Sequence, residues 1–132
     1  MDKYKDYGMS VVRFGVSFVY LWFGISQLLN PSRYVFYLPD FIKDNVLNPE
    51  IFIYANGVFE IIFGSLLLLG VFVRLSSFLL AIHLFFITLS LGFTDIAARD
   101  FSIFLATTGV FLYGNDKLCS NKKIRKFFKK GK

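Results

Sequence analysis

Apolar residues fall along this chain in four blocks, at 11–29, 51–69, 75–91 and 97–113, with polar residues gathered between them. No strand-like alternation and no narrow amphipathic stripe organises the blocks, so each predicts a helix that is apolar on all sides. At a rise of 1.5 Å per residue, helices of this length cover most of a hydrocarbon core of about 30 Å. The pattern therefore predicts an all-α integral membrane protein, a four-helix bundle with both termini on the same side. Residues 1–114 form its membrane domain and 115–132 a basic cytoplasmic tail.

The boundaries are set by local chemistry. Lys3 and Lys5 before the first block imitate a secretory leader, but the block is too long and Asn30-Pro31-Ser32-Arg33 offers no small-x-small cleavage site. Pro31 instead ends a retained helix. The connection from 31 to 49 mixes Tyr34, Phe36, Tyr37, Phe41 and Ile42 with Arg33, Asp40, Lys43 and Asp44. Rings among charges suit the headgroup level, which predicts a short surface helix able to cap the bundle. Asn48, Pro49 and Glu50 supply an N-cap, an N1 proline and an acidic first turn for the second span. Gly70 to Arg74 is a tight link. A fourth helix starting at Asp100 would reach only about 21 Å, whereas a start near Ile96 gives about 27 Å and draws Arg99 and Asp100 to the membrane edge. Gly114 and Asn115 stop it.

Composition sharpens the class. Hydrophobic residues make up 55% of the chain and charged ones 18%, too little polar surface for a soluble domain of this size. The net charge of +6 is concentrated in Lys117, Lys122, Lys123, Arg125, Lys126, Lys129, Lys130 and Lys132, after the last apolar block. With Ile124, Phe127 and Phe128 on one side, that segment predicts a basic amphipathic anchor on anionic lipid. The expected surface anchors are Arg74, Lys122, Lys123, Arg125, Lys126, Phe127 and Phe128. For Arg74 an ion pair with Glu60 would have to bridge roughly 15 Å, so a headgroup is the expected partner. No aromatic stacking motif accompanies the basic residues, and no nucleic-acid partner is expected. Of the fifteen Lys and Arg residues only Arg33, Lys43 and Arg99 fall on the far side, so the positive-inside rule puts both ends in the cytoplasm.

The candidate chemistry lies inside the blocks. Glu60 is near the middle of the second and His83 near the middle of the third, at similar distances from the Gly70 to Arg74 link. An antiparallel pair brings them to one depth. An ionised group at the bilayer centre costs about 2.5 to 3.5 kcal/mol on insertion scales, so neither is expected to face lipid. Asn56, Glu60 and Gly64 repeat every four residues with Gly57 alongside, which lets a neighbouring backbone close around the carboxyl. Ser17, Tyr20, Gly24 and Gln27 share one face of the first helix. That face is expected to turn inward, for packing and hydrogen bonding or for ligand contact. Arg99 and Asp100, with Asp95, are either a dipole-favoured helix start with a snorkelling arginine or the polar rim of a cavity leading to Glu60. The chain has one histidine and one cysteine, Cys119 in the polar tail. That leaves no internal disulfide, bis-histidine haem, Cys-ligated iron-sulfur cluster or metal motif within it.

Three stretches, RFGVSFVYLWFGISQLL from Arg13, NGVFEIIFGSLLLLGVFVRLSSFLLAIHL from Asn56 and RDFSIFLATTGVFLYG from Arg99, together resemble the DoxX family of small four-helix membrane proteins. The most specific part is the series Gly57, Glu60, Gly64, Leu66 to Leu69, Gly70 and Arg74. The resemblance implies a multi-pass protein of a prokaryotic-type plasma membrane, loosely associated with quinone-linked redox systems such as thiosulfate:quinone oxidoreductase subunits. It carries over no agreed catalytic residues. Where it leads us to expect a lysine after the aromatic-glycine pair of the first helix, this chain has Gln27.

Two functions compete. In the first, a quinone-associated redox or accessory subunit, Glu60 and His83 exchange protons with the ring oxygens of a quinone and Tyr20 or Gln27 supplies a hydrogen bond. The further polar residues Asn56, Arg99 and Asp100 are candidate ligand contacts. Electrons come from a redox partner protein, since the chain itself carries no cofactor. In the second, a scaffold or partner-binding subunit, Glu60 and His83 only tie helices together. Transport of a small solute or lipid is a third reading.

Overall fold

The computed structural model describes residues 2–36, 38, 40–45, 47–92, 94–114, 126 and 129–131. The described helices α1 to α6 are Asp2–Leu29, Pro31–Val35, Asp40–Asn45, Glu50–Leu69, Val73–Leu91 and Asp95–Tyr113, in that order. No strand occurs among the described residues. Four helical stretches are long and apolar enough to cross a membrane: Tyr7–Leu29, Glu50–Leu69, Val73–Ser90 and Asp95–Tyr113.

The helix ends refine the boundaries drawn from hydropathy. The α1 helix begins at Asp2, nine residues before the apolar block, because nothing in the polar segment breaks a helix. The connection after α1 forms two short helices instead of one. A proline at position 39 lacks the N–H that an uninterrupted helix needs. At the start of α4, Asn48 Oδ1 accepts from the Glu50 amide at 3.1 Å. Thr94 caps α6, its hydroxyl accepting from the Ala97 amide at 3.1 Å. The last span therefore starts at Asp95 and is about 28 Å long. Arg99 and Asp100 sit in its second turn.

Between α4 and α5 the reversal is made by Gly70, whose φ of 73° is left-handed, with its amide bonded to Leu67 O and the Val71 amide to Leu66 O. This is the glycine C-cap geometry that satisfies otherwise orphaned carbonyls. Phe72 also takes a positive φ, 49°, so α5 can begin at Val73 without a longer loop.

In the bundle α1 packs chiefly on α4, and α5 chiefly on α6. Pairings of Gln27 with Asn56 and of Arg13 with Leu67 run α1 and α4 antiparallel. Ring contacts of Phe78 with Phe111 and of Phe85 with Phe104 do the same for α5 and α6. The apolar core, Val16, Tyr20, Leu67, Val73, Leu80, Leu84 and Val110, lies between the two pairs and toward the α4–α5 link. Large apolar side chains such as Phe18, Trp22, Ile62, Phe86 and Leu112 point outward, as suits a surface solvated by acyl chains.

Of the predicted surface anchors, Arg74 lies at the link, and a Cβ at Gly114 would come within 2.7 Å of its Nε. Its guanidinium therefore sits at the C-terminal end of α6, where the helix dipole favours a cation. Lys126 is helical and exposed. Lys122, Lys123, Arg125, Phe127 and Phe128 lie outside the described residues.

Candidate polar cavity within the bundle

Two glycines begin the construction of the site. A Cβ at Gly24 would meet Gly57 O at 2.9 Å, and a Cβ at Gly57 would meet Gly24 O at the same distance. Only the lack of side chains lets the backbones of α1 and α4 approach this closely. The next turns of both helices are brought into register, and Asn56 Nδ2 donates to Gln27 Oε1 at 2.7 Å. Two turns further along α4, Gly64 packs against the Tyr20 side chain. Between these contacts Glu60 is 4% exposed, enclosed by protein and not by lipid.

From α5, His83 approaches the same point. Its Nε2 is 3.8 Å from Glu60 Oε1, beyond hydrogen-bond length, and its ring lies against Phe59 with centroids 4.7 Å apart. Glu60 Oε2 and His83 Nε2 have no hydrogen-bond partner among the described residues. Buried polar atoms in proteins are nearly always satisfied, so two orphans in one place call for an explanation.

Tyr20 closes the floor. Thr107 Oγ1 donates to Ile103 O at 2.7 Å and shares a 3.0 Å bond with Tyr20 OH, while Leu80 O lies 3.5 Å from the same phenol. One side chain from α1 thus touches α5 and α6. On α6, Arg99 donates from Nε and Nη2 to Asp100 Oδ1 at 3.1 and 3.0 Å. The Arg99 guanidinium also lies 4.8 Å from the centre of the Phe23 ring on α1, a cation–π contact across the seam.

These side chains surround one cavity of about 660 Å³. Its polar wall holds Tyr20, Gln27, Asn56, Glu60, His83, Arg99 and Asp100. Its apolar wall includes Phe23, Ile53, Leu84, Ile87 and Ile103, and Tyr34, Leu38, Phe41 and Ile42 of the α2–α3 connection line the end near that connection. The volume lies in the range of sites for small organic ligands, and mostly apolar walls with a few convergent polar groups are typical of them. All seven residues that the sequence suggests for proton exchange or ligand contact line this space, whereas Arg74 lies apart at the link. Among the described residues no group of three or more His, Cys, Asp or Glu is placed to hold a metal ion.

Two structural residues escaped the sequence reading. Arg13 is fully buried, with Nη1 donating to Leu67 O at 2.6 Å and Leu68 O at 2.7 Å on the last turn of α4. Its signal was a charge inside an apolar helix, on the same stripe as Ser10 and Ser17. Thr107 gave no such signal, because a threonine in an apolar helix usually bonds its own preceding turn.

No curated protein and no solved structure matches this chain. The DoxX family model does, over residues 8–93, a span that carries α1 with Gly24, α4 with Gly57, Glu60 and Gly64, the Gly70 turn and α5 with His83. With a match over well more than half its length, and four helices able to span a bilayer, the chain belongs to the DoxX family.

Proposed function

We propose that this protein is a quinone-associated subunit of a membrane oxidoreductase, and that the cavity receives the quinone ring. The observation that supports this reading is the pair of orphaned atoms, Glu60 Oε2 and His83 Nε2, buried beside an apolar-walled cavity deep in the bundle. A quinone is apolar apart from two ring oxygens. It suits such walls and offers acceptors to a protonated carboxyl or an imidazole N–H. Reduction of the ring takes two electrons and two protons. Glu60 and His83 are placed to exchange the protons, with Tyr20 or the Gln27–Asn56 pair orienting the ring. The electrons come from a redox partner protein.

By the positive-inside rule the α4–α5 link and both chain ends face the cytoplasm, with Arg74 and the basic tail at the headgroups. The end of the cavity lined by α2 and α3 then faces the other leaflet.

One observation favours a scaffold instead. The Gln27–Asn56 and Tyr20–Thr107 bonds already join helices, and such contacts average about 0.6 kcal/mol, as expected of interhelical glue. A locking role for Glu60 and His83 fits less well, because their nearest atoms stand 3.8 Å apart and each keeps an orphan. Purification in mild detergent, with identification of co-purifying proteins and extracted quinones, tests the reading. A stoichiometric quinone or a flavoprotein partner is the expected result. In the purified complex, Glu60→Gln and His83→Gln are expected to leave folding intact and abolish quinone-dependent turnover. Unchanged turnover in both variants removes the proton-exchange mechanism, and a loss of detergent stability without a change in ligand binding selects the scaffold.

A further inference from the structure

The seam between α1 and α6 is bridged by the Tyr20–Thr107 contact toward the link and by Arg99 over Phe23 toward α2 and α3. Beside it, on the outer face of α1, lies a second and smaller depression of about 210 Å³ lined by Phe18, Val19, Trp22 and Phe23. Three of those residues, Val19, Trp22 and Phe23, also line the large cavity. Phe18 and Trp22 are more than half exposed on the face turned to lipid. The two spaces are thus two sides of one wall, and every side chain of the smaller one is apolar.

We infer that this groove is a subsite for the apolar tail of the cavity's ligand, which leaves the bundle sideways through the α1–α6 seam while its polar ring stays beside Glu60 and His83. The inference rests on the quinone reading for the ring and adds the ligand's second half, a hydrocarbon chain on the ring, and its exit. A chain left inside the cavity would lie against Gln27, Asn56 and Asp100 and cover the donor and acceptor positions that the Gln27–Asn56 and Arg99–Asp100 bonds leave open, a costly arrangement. In the groove it meets only hydrocarbon, which lipid tails match, so the groove routes the chain and adds little affinity of its own. The weak partition of work between the walls follows from that: polar side chains select the ring, and the groove admits the tail.

The test is photolabelling of the full-length protein in lipid nanodiscs. The probe is a methylated para-benzoquinone bearing an alkyl chain with a diazirine, and the competitor is the same ring without a chain. Ring binding is measured separately with the tail-less compound through quenching of Trp22, the only tryptophan in the chain. The expected result is tail-less binding, together with labelling of Phe18 to Phe23 that the tail-less competitor lowers about tenfold or more. Competed labelling on Phe52 or Phe86 would leave the ring site standing and move the exit to the α4–α5 side, overturning the groove. Labelling of α1 that the competitor leaves unchanged means that bulk acyl chains fill the groove, which also overturns it. Absence of tail-less binding defeats the quinone reading itself, and the tail subsite with it.

Discussion

Gly24 and Gly57 face each other so closely that a methyl group on either would stand 2.9 Å from the other's carbonyl oxygen. Those atoms are backbone and cannot swing away. Gly24→Ala and Gly57→Ala are each expected to cost about 1 to 3 kcal/mol, the usual range for overpacking. Gly15 is a contrasting control, since a methyl group there would have no neighbour within 4 Å. At that position alanine is expected to stabilise by about 0.5 to 1 kcal/mol through the helix term alone. Unfolding in mixed micelles followed by circular dichroism checks the ordering. Equal effects at Gly15 and Gly24 would mean that the crossing is not close.

Arg13 carries a different kind of constraint. It brings a cation to the C-terminal turn of α4, where the Leu67 carbonyl otherwise accepts only the long bond from the Gly70 amide and the helix dipole favours positive charge. Hydrogen bonds to a charged group contribute about 1.5 to 3 kcal/mol. Arg13→Met keeps an unbranched stem and loses both bonds, so a loss of about that size is expected. Arg13→Lys keeps the charge but not the planar fork, and is expected to recover only part of it. Denaturation midpoints of the two variants against the parent decide this. A methionine variant as stable as the parent would show that the carbonyls find other partners.

Much of this is legible in the sequence. Long apolar blocks cannot be anything but spans, and Glu60 and His83 stand out because a charge in lipid is expensive. Counting from the Gly70 to Arg74 link is enough to put them at one depth, since antiparallel helices joined by a tight turn share register. The face formed by Ser17, Tyr20, Gly24 and Gln27 is buried throughout. Other features are hidden for physical reasons. Arg13 reads as part of a motif and not as a buried cap, because its partners are main-chain carbonyls that leave no mark on side-chain pattern. The polar residues 2–10 lie in α1 because helix formation does not stop where hydropathy does. Phe23 looks like any lipid-facing ring until Arg99, far along the chain, is found above it.

Tyr20 offers a case in which a buried bond is expected to matter little for stability. Thr107 Oγ1 already donates to Ile103 O at 2.7 Å, so removing the phenol oxygen leaves that hydroxyl still bonded. No orphaned donor results, and orphaning is what makes lost hydrogen bonds costly. Tyr20→Phe is therefore expected to cost about 0.6 kcal/mol, close to the average for hydrogen bonds between membrane helices. Thr107→Val combined with it should add almost nothing. A loss several times larger in the single variant would mean that the phenol holds α5 and α6 by more than its Thr107 bond and the long 3.5 Å contact with Leu80 O.

Asp100 and Arg99 form the sharpest test of how the cavity rim is balanced. The Asp100 side chain is 10% exposed and Arg99 is 49% exposed, so the acid depends on its neighbour while the base has solvent or headgroups to turn to. Removing a partner from a fully buried pair costs about 3 to 5 kcal/mol, and the exposure of Arg99 lowers the figure here to about 1 to 3. Arg99→Gln should fall in that lower range. Asp100→Asn alone should cost less, because an unpaired Arg99 can reach outward and keep its hold on Phe23. In the double variant Arg99→Gln with Asp100→Asn, no buried charge is left stranded and stability is expected to return most of the way to the parent. The double-mutant cycle isolates the coupling, and additive losses in its four members would mean that Asp100 does not rely on Arg99.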